Sequence, residues 1–375
     1  MPSTSSTAPE EHARPAPRDS TADVSAFGVY LHIPFCARRC DYCAFATWTD
    51  RHHLHDAYLA ALQRDIERAG LPQATSVFVG GGTPSAVDPR ALGAVLRSIP
   101  LADGAEVTAE CNPDDVTDAL ATALAEAGVN RISLGVQSMV PHVLASLGRH
   151  HTPSNVADAV RAIRRAGIDR VNLDLIYGAV GESLPDWRAT IELALLLAPS
   201  HVSAYALTVE AGTPLAASPE RHPDDDDLAD KYEMVDELLE RAGLANYEVS
   251  NWALPGEECR HNVLYWQQGD YRGFGAAAHS HHSGRRWWNV RTPERYIAAV
   301  EAGESTEAAG EHLDDETRRI EGLQLALRMR NGVPADTFAD DDLDDVAPLV
   351  VVEDGRVRLT RGGRLLANEV AIRIR

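Results

Sequence analysis

The stretch that decides the fold is Tyr30-Leu-His-Ile-Pro-Phe-Cys-Ala-Arg-Arg-Cys-Asp-Tyr-Cys-Ala-Phe45. It holds the thiols of Cys36, Cys40 and Cys43 in the spacing C-x3-C-x2-C, which can wrap one compact metal centre. A zinc ribbon needs a second C-x2-C pair, and the sequence has none. Soft thiolates also suit iron–sulfur clusters. The pattern therefore favours a [4Fe–4S] cluster with three cysteine ligands and one open iron, and a zinc site completed by His32 or a nearby histidine is the alternative.

The composition of the 375-residue chain narrows the class of protein. An apolar content of 44% is ordinary and allows a sizeable core. The net charge of −21 argues against general binding of nucleic acid or anionic membranes, which requires a basic surface. No apolar stretch of the sequence is long enough to span a bilayer. Cysteines clustered for metal binding suit a reducing compartment, so we expect a cytoplasmic protein.

Residues 1–26 differ from the rest of the chain. They are rich in Ser, Thr, Pro and Ala and contain no apolar segment typical of a secretory signal. Acidic residues interrupt any amphipathic presequence, namely Glu10, Glu11, Asp19 and Asp23. The segment is predicted to be a disordered tail.

Short β-branched runs alternate with helical segments through the first two thirds of the chain. The predicted strands are Phe27–Ile33, Ser76–Val79, Glu106–Glu110, Arg131–Val136, Arg170–Ile176 and His201–Leu207. The predicted helices are His53–Ala69, Pro89–Ile99, Thr117–Ala127, Ser154–Ala166, Leu184–Leu197 and Leu228–Ala242. Strands alternating with helices indicate an α/β fold with a parallel sheet. Six such units, rather than eight, predict a partial, open (β/α)6 barrel over residues 27–245.

The rest of the chain is predicted to form two further units. Residues 246–290 are rich in Asn, Trp, Tyr, Gly and His, and residues 246–310 are predicted to form an extension that carries a motif around His261. Within them, His279, His281 and His282 form a histidine-rich patch near Arg285 and Arg286. These residues could bind iron or carboxylate groups, but a solvated loop is favoured, and they are left out of the predicted site. Residues 311–375 read as a helix, a hairpin and a final helix, which suggests a small winged-helix-like appendage. Its acidity argues against DNA binding.

Polar motifs follow four of the predicted strands. They are Gly80-Gly-Gly-Thr-Pro84, Glu110, Gln137 and Asp174. The active sites of β/α barrels are built at the carboxyl ends of the strands. We therefore expect these residues to lie together beside the cysteine loop.

The cysteine loop and its flanks resemble the coproporphyrinogen-dehydrogenase-like branch of the radical SAM superfamily. The resemblance implies that S-adenosylmethionine (SAM) chelates the open iron. It also implies SAM contacts for Gly81, Gly82 and Thr83 after the second strand. Tyr42 and Phe45 flank the last cysteine and are expected to line the SAM side of the pocket. The remaining contacts that the resemblance implies are Tyr30, Glu110, Gln137, Arg149 and Asp174.

Two further features distinguish members of this branch. The oxygen-independent coproporphyrinogen III oxidases carry another cysteine where this chain has Phe45. The run His261-Asn-Val-Leu-Tyr-Trp266 resembles an element of their relatives, the heme chaperones. That resemblance implies heme binding and delivery to acceptor proteins such as respiratory cytochromes, with peripheral membrane contact through the acceptors. The alternative is an oxidase that decarboxylates coproporphyrinogen III.

His261 is the predicted heme contact. Imidazole is a common axial ligand of heme iron, and the aromatic rings of Tyr265 and Trp266 could stack on a porphyrin. A buried polar residue beside an aromatic pair is the plain alternative, and Cys259 is a possible thiolate ligand. No side chain is assigned a catalytic role.

Overall fold

The computed structural model describes residues 26–374. The predicted disordered tail, residues 1–26, lies outside the described residues except for its last residue. Within residues 26–374, no helix is long and apolar enough to cross a membrane.

The first part of the described chain consists of alternating strands and helices. The strands are β1 (Phe27–Ile33), β2 (Ala74–Gly81), β3 (Leu101–Cys111), β4 (Arg131–Gln137), β5 (Arg170–Tyr177) and β6 (His201–Ala206). The helices are α1 (His55–Ala69), α2 (Pro89–Arg97), α3 (Asp118–Glu126), α4 (Pro141–Ser146), α5 (Pro153–Arg165), α6 (Leu184–Leu195) and α7 (Asp225–Arg241). Every strand and helix predicted in this region is confirmed to within a few residues, and α4 is an additional short helix.

Local sequence signals explain where these helices begin and end. Thr152 caps α5 by accepting a hydrogen bond from the Asn155 backbone, and Pro153 fills the first turn. Helix α1 ends at Gly70, whose φ of 60° is in the left-handed region that glycine adopts most readily. These caps set the lengths of the helices and return the chain to the next strand.

Strands β1 to β6 pair in sequence order and run parallel. Alternate residues of β1 point to opposite faces: Val29, Leu31 and Ile33 are fully buried in the apolar core. Tyr30 points to the other, inner face, which polar residues of the neighbouring strands share. The predicted α/β architecture with six parallel strands in a partial barrel is confirmed.

The barrel sheet continues beyond both of its outer strands. The additional strands are β7 (Ala245–Glu248), β8 (Asn251–Ala253), β9 (Asp270–Phe274), β10 (His279–His282), β11 (Arg285–Asn289) and β12 (Glu307–His312). Strand β9 pairs parallel to β1, and β8 pairs antiparallel to β6, so β1 and β6 do not close on each other. The histidine-rich patch lies on β10, so its assignment to a solvated loop was wrong. Two helices accompany these strands, α8 (Arg260–Trp266) and α9 (Pro293–Ala302).

The last part of the chain forms a three-stranded antiparallel sheet with short helices. Its elements are α10 (Asp315–Ala326), β13 (Val333–Pro334), α11 (Asp340–Asp345), β14 (Val350–Glu353), β15 (Arg356–Leu359), α12 (Arg361–Leu365) and α13 (Ala367–Ala371). The predicted order of helix, hairpin and helix is confirmed. Leu327, Val333, Val357 and Val370 are buried in a separate apolar cluster. The division of the chain at residues 245 and 310 stays a prediction.

Candidate cluster and cofactor site

The three thiols of the cysteine motif lie in the loop that follows β1. The backbone N–H of Cys36 donates to the Trp48 carbonyl at 3.1 Å, and the Trp48 N–H donates to the Pro34 carbonyl at 2.7 Å. A tight turn inside the loop brings the Cys43 N–H to within 3.2 Å of the Cys40 carbonyl. The loop is therefore closed at its base, and the thiols extend from a fixed backbone.

The chemistry of these thiols fits an iron–sulfur cluster. All three are free and half-buried. Burial is the main cause that raises the pKa of Cys36 and of Cys43, and the neighbouring thiols of the loop add to it in both cases. The three sulfur atoms are therefore close enough for the charge of one thiolate to act on another. The Thr83 hydroxyl donates to Cys36 Sγ at 3.5 Å. Thiolates bound to iron would avoid the cost of holding unpaired charge in this environment.

His32 does not complete a zinc site in this geometry. Its Nε2 donates to the Ala46 carbonyl at 2.9 Å, so Nδ1 accepts the hydrogen bond from the Tyr30 hydroxyl at 2.9 Å. Burial lowers the pKa of His32, which keeps the ring neutral. Within residues 26–374, no three side chains of His, Cys, Asp or Glu are placed to hold a single metal ion.

The glycine-rich stretch after β2 is bound directly to the cysteine loop. The Gly82 N–H donates to the Ile33 carbonyl at 2.7 Å, and the Thr83 N–H donates to the Phe35 carbonyl at 2.8 Å. A Cβ at Gly82 would lie 2.7 Å from both of these carbonyl oxygens, so only glycine fits. The stretch thus fixes the cysteine loop over the carboxyl end of β2.

Glu110 and Asp174 place two carboxyl groups on the inner face of the sheet. Glu110 accepts a hydrogen bond from the Gly81 N–H at 3.1 Å. Desolvation, and after it the charge of Asp174, raise the pKa of Glu110 to about 8. Desolvation also raises the pKa of Asp174, which accepts hydrogen bonds from Ser133 at 2.7 Å and Asn172 at 2.8 Å. A cationic ligand here would stabilise both carboxylates.

Arg149 connects the cysteine loop with the ends of β3 and β4. Its Nη1 donates to Cys40 Sγ at 3.6 Å, and its Nη2 donates to Asn112 Oδ1 at 2.7 Å and to the Gly135 carbonyl at 2.9 Å. The side chain of Gln137 reaches the same place, because a Cβ at Gly135 would meet Gln137 Nε2 at 3.0 Å. Gln137 has a φ of 62°, which is rare outside glycine and marks this strand end as constrained.

The aromatic residues predicted for the pocket occupy different environments. Tyr30 stacks on Phe78 with ring centroids 6.4 Å apart, and its hydroxyl is bonded to His32. Tyr42 packs against the apolar cluster that includes Leu147 and Leu207. Phe45, two residues after the last cysteine of the motif, has 66% of its surface exposed. The loop therefore presents a large apolar side chain to solvent.

The structure brings together most of the predicted site residues, and His261 lies further along the same inner face, where its ring stacks on Phe78, which in turn stacks on Tyr30. His261 lies on α8, which covers the amino-terminal part of β1 and β2, and only 1% of its surface is exposed. Its Nδ1 is 2.9 Å from the Ser76 hydroxyl and its Nε2 is 2.8 Å from the Tyr265 hydroxyl. Burial lowers its pKa to about 4. Both ring nitrogens are engaged, so ligation of iron by His261 requires that one of these bonds breaks.

Two residues of the site were missed by sequence reasoning. Asn112 joins Arg149 to the Thr83 hydroxyl, to which its Nδ2 donates at 3.3 Å. Asn112 follows Glu110, which the sequence had already singled out, by two residues, so a signal was available. Arg221 binds Asp41 inside the cysteine loop from a distant segment, and no sequence signal indicated this pairing.

Comparison with known proteins defines the class of this site. Residues 30–194 match the model of the Radical SAM superfamily, and this span contains the cysteine loop and the strand ends described above. The solved structure of coproporphyrinogen III oxidase (HemN) from Escherichia coli superimposes with a TM-score of 0.80. It covers 93% of this chain and 89% of the oxidase chain. At 22% identity, this similarity concerns the fold alone.

Closer sequence relatives define the family. A heme chaperone HemW of Mycobacterium tuberculosis (strain CDC 1551 / Oshkosh) is 42% identical, over 92% of this chain and 93% of the relative. The heme chaperone HemW of Bacillus subtilis (strain 168) is 34% identical, over 91% of this chain and 97% of the relative. The chain belongs to the HemW family of the radical SAM superfamily.

Proposed function

We propose that this protein binds heme together with a SAM-liganded [4Fe–4S] cluster and delivers the heme to acceptor proteins. The observation that carries the proposal is Phe45, exposed beside Cys43 at the position where the oxidases are expected to have another cysteine. The relatives named heme chaperones, which align over nine tenths of the chain, support it.

The cluster would be held by Cys36, Cys40 and Cys43. When bound there, the cluster and SAM would together supply one-electron chemistry at the site. Glu110 and Asp174 offer negative charge to the cationic groups of SAM, and Arg149 offers a guanidinium to its carboxylate. The remaining proposed contacts are Tyr30, Tyr42, Phe45, Gly81, Gly82, Thr83 and Gln137.

We propose that the acceptors are heme proteins, such as respiratory cytochromes, reached from the cytoplasm by peripheral contact at the membrane. The net charge of −21 makes long-range attraction to anionic lipid or nucleic acid unfavourable, so recognition would depend on the acceptor protein.

Heme transfer and porphyrin oxidation can be separated in one anaerobic experiment. The cluster-reconstituted protein is loaded with heme and mixed with apomyoglobin as the acceptor, and transfer is followed in the Soret region. A parallel sample receives SAM, a reductant and coproporphyrinogen III. We expect heme transfer and no protoporphyrinogen. Formation of protoporphyrinogen over many turnovers would instead establish the oxidase alternative.

A further inference from the structure

The inner face of the sheet extends from the candidate cluster site onto β9, β10 and β11. Tyr30 of β1 is paired with Gly273 of β9. Further along the same face, His281 is paired with both Tyr271 and Arg286, and His279 is paired with Trp288. Paired residues of adjacent strands share a face of the sheet. His279 and Trp288 therefore lie on the same face as Tyr30.

The distance from His279 to the cluster site follows from the strand order. Strand β9 alone separates β10 from β1, so His279 lies about 10 Å from Tyr30, or two strand spacings. Strand β10 approaches β9 very closely at Gly273, where a Cβ would lie 2.0 Å from the His279 carbonyl oxygen. The required glycine fixes the position of His279 on this face.

His279 has a combination of properties that no other described histidine shares. Its side chain is exposed, and within residues 26–374 neither ring nitrogen has a hydrogen-bond or ion-pair partner. Its ring stacks on the half-buried indole of Trp288, with centroids 5.7 Å apart and an angle of 28° between the planes. His53, His150 and His312 also lack such partners among the described residues, but they do not stack on an aromatic ring.

Charged groups surround this histidine. Partial desolvation of the ring, and after it the charge of Arg286, lower the pKa of His279, which keeps the ring in the neutral form that binds iron. Arg286 itself is paired with Glu311 at 2.9 Å and with Glu321 at 2.8 Å. The face thus offers a free imidazole, an indole plane and a guanidinium that two carboxylates hold in place.

We propose that His279 is the axial ligand of the heme iron and that Trp288 packs against the porphyrin. This inference rests on the proposed function and specifies its site. Imidazole nitrogen is a common ligand of heme iron, and an indole plane provides apolar contact for a porphyrin. The heme then lies beside the cluster site on one continuous face of the sheet, while His261 keeps its hydrogen bonds to Ser76 and Tyr265 and positions α8.

The test is a hemin titration of cluster-reconstituted protein, comparing wild type with His279→Ala and with His282→Ala. His282 is the matched control because it lies on the same strand with 65% of its side chain exposed and points to the opposite face. We expect His279→Ala to lose the spectrum of a histidine-ligated heme and at least about tenfold in affinity. His282→Ala should match wild type, and added imidazole should restore the ligated spectrum of His279→Ala.

The outcomes separate this inference from the proposed function. If wild type binds hemin and His279→Ala retains both the spectrum and the affinity, the ligand assignment is overturned and heme binding stands. If wild type shows no saturable binding, the proposed function fails and the ligand assignment fails with it. Trp288→Leu provides a second variant, and we expect weaker binding with the ligated spectrum preserved.

Discussion

Arg221 donates a hydrogen bond from Nη2 to Oδ2 of Asp41 at 2.9 Å, although 180 residues separate them in the sequence. Asp41 stands between Cys40 and Tyr42 in the cysteine loop. Arg221 Nη2 also donates to the Ser146 carbonyl at 2.7 Å, and the Leu215 N–H donates to the Asp41 carbonyl at 3.0 Å. The segment around Arg221 therefore supports the outer side of the loop that presents the thiols.

Replacing Arg221 with Met should loosen the cysteine loop without unfolding the barrel. The Arg221–Asp41 pair is partly exposed, so we expect a loss of global stability below about 1 kcal/mol. The cluster itself should be lost faster under mild chelation, measured as bound iron over time under nitrogen. Arg188→Met removes an exposed helical pair with Glu192 and serves as the control. Equal rates of iron loss in both variants would contradict a supporting role for Arg221.

The cluster assignment predicts that Cys40→Ser abolishes cluster incorporation. All three cysteines of the loop are assigned as ligands, so no other thiolate of the loop can replace Cys40. A serine oxygen is a poorer ligand than a thiolate for the iron of a [4Fe–4S] cluster. Iron and sulfide content after anaerobic reconstitution measure the effect. Cys259→Ser is the matched control, because Cys259 is buried at the start of α8 beside Glu106. A Cys40→Ser variant with the iron content of wild type would show that the assignment is wrong.

The raised pKa of Glu110 predicts a pH dependence of stability in the absence of SAM. Desolvation, followed by the charge of Asp174, raises this pKa from 4.5 to about 8 in the folded state. The folded protein therefore holds the proton more tightly than the unfolded chain. As the pH rises from 4.5 to about 8, the contribution of Glu110 to the free energy of unfolding therefore falls.

Glu110→Gln removes this titration. We expect the difference in melting temperature between Glu110→Gln and wild type to become more positive as the pH rises from about 6 to about 8.5. The reason is that wild type loses stability over this range as Glu110 ionises, whereas the variant has no carboxyl group at this position. Glu126→Gln, at an exposed position on α3, provides the control. A difference from wild type that stays constant with pH would contradict the proposed environment of Glu110.

A buried ion pair connects α7 with the segment that precedes α6. Lys231 and Glu182 are both 0% exposed, and Lys231 Nζ lies 3.1 Å from Glu182 Oε2. Lys231→Met leaves the carboxylate buried without its cation, so the free energy of unfolding should fall by about 3–5 kcal/mol. Denaturation of Lys231→Met/Glu182→Gln should show a smaller loss, because only the partly exposed carboxylate of Asp227, which also pairs with Lys231 at 2.6 Å, then remains without its cation. Equal stability of the single variant and wild type would refute the role of the pair.

Much of the barrel was predictable because its signals are local. The C-x3-C-x2-C motif, the β-branched runs and residues such as Gly70 and Thr152 each act within a few positions. The six parallel strands follow from their alternation with helices, and the strand-end motifs follow from the geometry of parallel sheets. This is why the sequence alone indicated that Glu110 and Asp174 lie together near the cysteine loop.

The extension of the sheet was not predictable because it depends on pairing over long distances. Strand β9 joins β1 through pairs such as Gly28 with Tyr271, and β10 and β11 are short strands rich in histidine and arginine. A strand of four residues such as His279–His282 has no clear alternation in its sequence. For the same reason, the hydrogen bond between the His261 ring and Ser76 could not be anticipated from the motif, whereas Tyr265 lies only four residues further along α8.

The most direct test of the account is a heme titration of wild-type protein, with its cluster reconstituted under nitrogen, followed by absorbance. The proposed function predicts saturable binding of one heme per chain with a shift of the Soret band. The cluster content should be unchanged at saturation. Absence of saturable binding by protein with a complete cluster would contradict the central claim.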